Sequence, residues 1–147
     1  MNRQLIYSWY EQYKIGIFRY ALSILKDPVL SEDVLQETFL RLLAGKEFPE
    51  PGKEQAWLYR VARNQCYDIL RKQKRMQKIQ MENIGQENEH AYIEIIASLD
   101  RKEQEIVTLK IIGGLDHKEI SQIMGLTVHA SKKRYERAIH KLREMEE

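Results

Sequence analysis

The sequence predicts an all-α protein made of two small helical domains joined by a flexible linker. Three observations lead there. Apolar residues recur at helical spacing through nearly all of the 147 residues. Strand signals are almost absent, and only three prolines occur. One polar, glycine-containing stretch, QKIQMENIGQENE, interrupts the pattern after position 76. The expected division is a domain over 1–76, a linker over 77–90 and a second domain over 91–147.

Ile6, Trp9, Tyr10, Tyr13, Ile17, Tyr20, Ala21 and Ile24 form one stripe, which predicts a first helix to about position 26. Asp27-Pro28 ends it, because a proline ring disfavours helix in the residue before it. Ser31 is the expected cap of a second helix over 31–43, with Glu32 and Asp33 at its positive end. Residues 45–52 read as a loop containing Pro49 and Pro51, and a long helix follows over 54–76. Shorter helices are expected over 91–97, 101–112, 117–124 and 128–145, with Gly113-Gly114 and Gly125 at stops.

The net charge of +2 hides a partition. Seven bases face one acid over 60–78, and six face one acid over 129–143. Between them, 82–105 holds seven acids and two bases, and 27–37 holds four acids and no base. Two basic patches separated by acidic surface suit a polyanion held at two places, although solvated helix faces produce the same pattern.

The helical faces sharpen this picture. In the second helix Val34, Leu35, Thr38, Phe39 and Leu42 point to a core, while Asp33, Gln36, Glu37 and Leu40 form an acidic exposed face suited to a basic protein surface. No histidine or second acidic helix supports a metal at Asp33 and Glu37, and no metal is expected. In the third helix Leu58, Val61, Ala62, Gln65 and Ile69 face inward. Arg60, Arg63, Asn64, Tyr67, Arg71 and Lys74 face outward, and Trp57 lies at the edge. Cations neutralise phosphates, Asn can meet a base edge and Tyr can stack on an unpaired base, so this face suits single-stranded nucleic acid.

Residues 113–142 have the proportions of a helix-turn-helix. In its last helix Val128, Ser131, Tyr135, Ala138 and Leu142 face inward, and His129, Lys132, Lys133, Glu136, Arg137 and His140 face outward. Thr127 is the expected cap, leaving helix-start amides for a phosphate.

The stretches DP…SEDVLQETFLRLL and WLYRVARNQCYDILRK resemble region two of bacterial RNA polymerase sigma factors. LDRKEQEIVTLKIIGGLDHKEISQIMGLTVHASKKRYERAIHKLRE resembles region four. The order and length resemble the extracytoplasmic-function group of the sigma-70 family, which keeps only these two regions. That resemblance implies core RNA polymerase, through its largest-subunit clamp helices and its flap region, and promoter DNA as partners, with an anti-sigma factor as a regulator. By position it implies polymerase contacts at Asp33, Gln36 and Glu37. It assigns opening of the minus-ten element to residues 57–72, with Asn64 meeting a base and the 45–54 loop capturing a flipped one. It assigns minus-thirty-five reading to Lys132, Lys133 and Glu136, with Arg134 and Arg137 on the backbone. Two departures stand out. The KEFPEPGKEQ loop is acidic and proline-containing where the family often has small polar residues. Ser131 occupies a position usually taken by a branched apolar residue, and an unpartnered hydroxyl there would cost about 1–3 kcal/mol. Ser131→Val is therefore expected to raise the thermal midpoint.

The alternative is a helix-turn-helix regulator that binds duplex operators without polymerase. The basic face carrying Asn64 and Tyr67 argues against it, because an effector domain has no need of such a face. Four scattered histidines, one cysteine and no Gly-rich phosphate loop leave no catalytic constellation, so neither an enzyme, a cofactor nor a small-molecule substrate is expected. No apolar run reaches the ~20 residues of a membrane span. The opening stretch lacks a signal-peptide core, and a single cysteine makes no internal disulfide, which together predict a cytoplasmic chain.

Overall fold

The computed structural model describes residues 3–45, 47–76 and 95–145, and every regular element among them is a helix. The expected linker over 77–90 and the start of the helix expected over 91–97 lie outside the described residues.

Helix α1 (Arg3–Leu25) buries Ile6, Trp9, Ile17, Tyr20, Ala21 and Ile24 of the predicted stripe and half-buries Tyr10 and Tyr13, and from Tyr20 to Leu25 every residue is buried. Lys26 then turns left-handed (φ 57°), and the chain enters α2 (Pro28–Ala44) at once. The cap is Asp27 rather than Ser31. The Asp27 carboxylate accepts from the amides of Val29 (2.9 Å) and Leu30 (3.1 Å). Pro28 sits in the first turn, where its missing N–H costs nothing. Ser31 is buried one turn later and donates to the Asp27 carbonyl at 2.7 Å. The aspartate precedes a proline, so it satisfies both the stop of α1 and the start of α2.

Helix α3 (Glu54–Met76) follows the loop. Helix α4 (Arg101–Val107) opens with a capping box, in which Asp100 accepts from the Glu103 amide (2.8 Å) and Glu103 accepts from the Asp100 amide (3.0 Å). It widens into a π turn (Thr108–Ile112), closed by the Gly113 amide on the Thr108 carbonyl at 2.9 Å. Helix α5 (His117–Met124) has the same box from Asp116 and Glu119. It ends at Gly125, whose φ of 69° is costly for other residues. Helix α6 (Val128–Met145) begins with the Thr127 hydroxyl accepting from the Ala130 amide at 3.0 Å, as the sequence predicts.

The two helical regions share one hydrophobic core. Ile17, Tyr20, Leu42, Leu58 and Cys66 from α1–α3 are continuous with Ile106, Leu109, Leu115, Ile120 and Ala138 from the later helices. Helix α1 is the common support, packed against α2, α3, α4 and the π turn, while α3 also packs against α5. Helix α3 therefore buries two sides. Beyond the predicted Leu58, Val61 and Ala62, it buries Tyr59 and Cys66. Each such large apolar side chain stabilises the packed state by about 1.5–3 kcal/mol.

Tyr59 passes between the two regions where glycine makes room. A Cβ on Gly16 of α1 would lie 2.2 Å from the Tyr59 hydroxyl, and one on Gly113 would lie 3.1 Å from it. Replacing a mid-helix glycine by alanine ordinarily stabilises by about 0.5–1 kcal/mol. Here the ring is 1% exposed and has nowhere to move. Gly16→Ala is expected to lower the thermal midpoint, and adding Tyr59→Phe should recover part of the loss. A midpoint raised by Gly16→Ala alone would contradict this packing.

Candidate nucleic-acid interface

The acidic face of α2 is where the sequence predicts it. Asp33, Gln36 and Glu37 are exposed, and Leu40 is 56% exposed among them. Glu32 accepts from Gln36 (3.2 Å) and Glu37 pairs with Arg41 (3.4 Å), so the face is held mainly by its own helix. Trp57 is half-buried and belongs to this side. With Val61 of α3 it lines a groove against Glu37, Leu40, Arg41 and Ala44.

The basic face of α3 divides. Arg60, Asn64 and Arg71 are exposed, and Arg71 pairs locally with Asp68 at 3.1 Å. Arg63 and Tyr67 turn instead toward Glu105 of α4, which is completely buried. Arg63 Nε donates to Glu105 Oε1 at 2.9 Å and Tyr20 donates to the same oxygen at 2.8 Å. Tyr67 donates to Oε2, and the Arg63 guanidinium lies 4.5 Å from the centroid of the Tyr67 ring. Three donors from α1 and α3 thus converge on one carboxylate from α4. Nearby, Gln55 donates to the Gly113 carbonyl, and Lys26 donates to Gln104 and to the Ser23 carbonyl.

This corrects the reading of the acidic stretch before position 105 as surface. Glu103 and Glu105 are 5% and 0% exposed. Glu103 closes its capping box and pairs with Lys141 of α6 at 2.9 Å. A signal for Glu105 exists in the sequence: it lies one turn before Leu109 on the apolar side of its helix, where a carboxylate requires a donor.

The node leaves electrostatic marks. Burial first, and then the Glu105 carboxylate, push the Tyr20 hydroxyl well above its ordinary range, and the same two causes raise Tyr67. Burial, again followed by Glu105, pushes the Cys66 thiol up to about 12. Burial followed by Arg101 lowers Lys26 to about 8.

In the helix-turn-helix, His129, Lys132, Lys133, Glu136, Arg137 and His140 are exposed as predicted, and Arg134 is half-buried. Val128, expected inside, is 39% exposed. It is the first residue of α6. Ser131 is fully buried, and its hydroxyl lies 2.7 Å from His117 Nδ1. The His117 ring meets the Tyr135 ring edge-on, with centroids 5.6 Å apart. Burial, followed by Lys110 and Lys132, lowers the His117 pKa, which favours the neutral ring. The Ser131 hydroxyl is therefore partnered, and the expectation from sequence reverses. No group of His, Cys, Asp and Glu suited to a metal occurs among the described residues, and no described helix is long and apolar enough to cross a membrane.

Comparison with known proteins follows the same division. The family model for sigma-70 region 2 matches residues 9–76, and that for sigma-70, region 4 matches residues 89–142. The ECF RNA polymerase sigma factor SigM of Bacillus subtilis is 33% identical over 131 residues, covering 80% of each chain. RNA polymerase sigma factor SigV of the same organism is 25% identical, covering 97% of this chain and 91% of its own. In fold, the chain is similar to the sigma factor RpoE in its complex with the anti-sigma factor NepR from Bartonella quintana. There the TM-score is 0.72 and the identity 21%, with 93% of this chain and 95% of the other covered. It is equally similar to CnrH in complex with the cytosolic domain of CnrY, with a TM-score of 0.72, 23% identity and coverage of 98% and 88%.

Two outcomes follow from the geometry. Ser131→Val should lower the thermal midpoint, because it removes the partner of the half-buried His117 ring nitrogen; a raised midpoint would show that the His117 contact contributes nothing. In an alkaline titration followed by tyrosinate absorbance, Tyr20 and Tyr67 should ionise above the ordinary tyrosine range of about pH 10. Their raised values mean that the folded chain holds protons the unfolded chain would release. That stability is fully present below about pH 10 and is lost as pH climbs through the raised values. A titration in which Tyr20→Phe with Tyr67→Phe removes no late phase would contradict the node.

Proposed function

The chain belongs to the sigma-70 family, in its extracytoplasmic-function group, and we propose that it brings core RNA polymerase to its promoters through the surfaces described above. The observation that carries this reading is that the region 2 and region 4 matches fall in order along one chain, each including a helix with exposed basic residues, Arg60 and Arg71 in the first and Lys132, Lys133 and Arg137 in the second. The operator-binding alternative is not favoured, since it needs no region 2.

In this reading residues 1–76 form the minus-ten domain and residues 91–147 the minus-thirty-five domain. Asp33, Gln36 and Glu37, around exposed Leu40, dock on the clamp helices of the largest polymerase subunit. Lys132, Lys133 and Glu136 meet base edges in the major groove, His129 lies beside them, and Arg134 and Arg137 take phosphates. Trp57, Arg60, Arg63, Asn64, Tyr67 and Arg71 hold the unpaired strand of the minus-ten element. Taking a base out of the stack costs a few kcal/mol. Capture by cations and stacking groups offsets that cost, so opening requires no nucleotide hydrolysis. Sigma factors are recognition subunits and RNA synthesis belongs to the polymerase, so this chain needs neither a catalytic group nor a cofactor of its own. It acts where polymerase is, in the cytoplasm. An anti-sigma factor is a further expected partner, as NepR is for RpoE of Bartonella quintana.

Transcription by purified core polymerase on a promoter library, with and without this chain, tests the reading. Promoter-specific starts are expected only with it. Asp33→Lys combined with Glu37→Lys should abolish co-purification with core polymerase, and Lys133→Ala should reorder preference among minus-thirty-five variants. DNA binding with no starts would replace this reading by the operator-binding regulator.

A further inference from the structure

We propose that Glu105 is an autoinhibitory latch that, in the free chain, occupies Arg63 and Tyr67 and so withholds the single-strand grip while leaving both other surfaces available. The proposal rests on the reading that Arg63 and Tyr67 contact the unpaired strand.

The chemistry of the node is that of a phosphate contact already filled. A guanidinium forms the same charge-assisted hydrogen bonds with a carboxylate as with a phosphate oxygen. Glu105 Oε1 accepts from Arg63 at 2.9 Å, so that donor is taken. The Tyr67 hydroxyl is bound by the other carboxylate oxygen, and the Arg63 guanidinium packs against its ring. The face of the ring that the guanidinium covers is closed to a base.

The closed arrangement is built on both sides of the node. Tyr20 donates to Glu105 from α1, which takes no part in the proposed DNA contacts. Tyr59 fits between Gly16 and Gly113, and Gln55 bonds the Gly113 carbonyl. Ile106 and Leu109 of the later region are fully buried in the shared core.

The concealment is selective. Asp33, Gln36 and Glu37 remain exposed on α2, and Lys132 and Lys133 remain exposed on α6. A closed chain can therefore meet polymerase and duplex DNA before it can hold a separated strand. Opening is left to a partner that binds the two regions better apart than together, since only such a difference shifts the equilibrium.

The test uses the full chain, small-angle scattering for its radius of gyration and fluorescence anisotropy with a labelled single-stranded oligothymidine. Wild type should be compact. Glu105→Ala should expand the chain and tighten oligothymidine binding by about tenfold, the change expected when a competent form of about a tenth becomes dominant. The gain should vanish in Glu105→Ala with Arg63→Ala. Should the alanine variant lose its helical circular dichroism, Glu105→Gln, which keeps the size and removes the charge, should give a smaller gain in the same direction. An expanded wild type, or variants that stay compact, overturns the latch and leaves the sigma reading untouched. Expansion with no gain in binding overturns the masking and the assignment of Arg63 and Tyr67 to the strand together.

Discussion

A carboxylate with no access to water must be given donors, and Glu105 obliges the rest of the molecule to supply them. Removing one partner from a buried ion pair costs about 3–5 kcal/mol, because the other charge is left uncompensated. Arg63, Tyr67 and Tyr20 meet that demand from two helices of the first region. To bring them within reach, α4 must lie against α1 and α3, and the apolar residues flanking Glu105 then enter the same core. The polar node fixes the register, and the apolar surface around it, together with the glycines that admit Tyr59, makes that register close-packed.

The distribution of what stays exposed follows from this. Helix α1 carries little charge and is enclosed from Tyr20 to Leu25. The charged surfaces are pushed to the outer helices, acidic on α2 and basic on α6. Helix α3 lies between the two regions and cannot offer one uniform face. Its outer residues divide into a group in water, Arg60, Asn64 and Arg71, and a group held by protein, Arg63 and Tyr67.

Most of the helical architecture was legible because local rules govern it. The periodicity of α2 separates Val34, Leu35, Thr38, Phe39 and Leu42 from Asp33, Gln36, Glu37 and Leu40, and the structure keeps that separation. Thr127 and Gly125 act at the helix ends where their chemistry suits them. The misreadings have a common origin in contacts between distant parts of the chain. Ser131 looked like an orphan because His117 is fourteen residues earlier and becomes its neighbour only when α5 packs on α6. Glu105 looked like surface because charge was counted along the chain rather than around the helix, and its partner Arg63 is forty-two residues away. The outer face of α3 looked uniform because nothing local reveals that a second region covers part of it. Ser31 is a different case. Asp27 was the better cap by its own chemistry, with a proline next to it marking the first turn.

The division of α3 bears on how a sigma factor of this size can be economical with charge. A cation that must hold DNA in one state and remain folded in another needs an alternative anion in the second state, or it stays in water and binds any polyanion it meets. Arg60 and Arg71 take the second course and stay hydrated at the surface. Arg63, with a side chain only 20% exposed, takes the first. The exchange is close to balanced, since a carboxylate and a phosphate oxygen offer similar hydrogen-bond geometry to a guanidinium. What separates the two states is then the apolar surface that closes with the node and the affinity of whatever holds the regions apart. Under the proposed latch, a single glutamate on α4 sets how readily the first region yields Arg63 and Tyr67, without altering either residue.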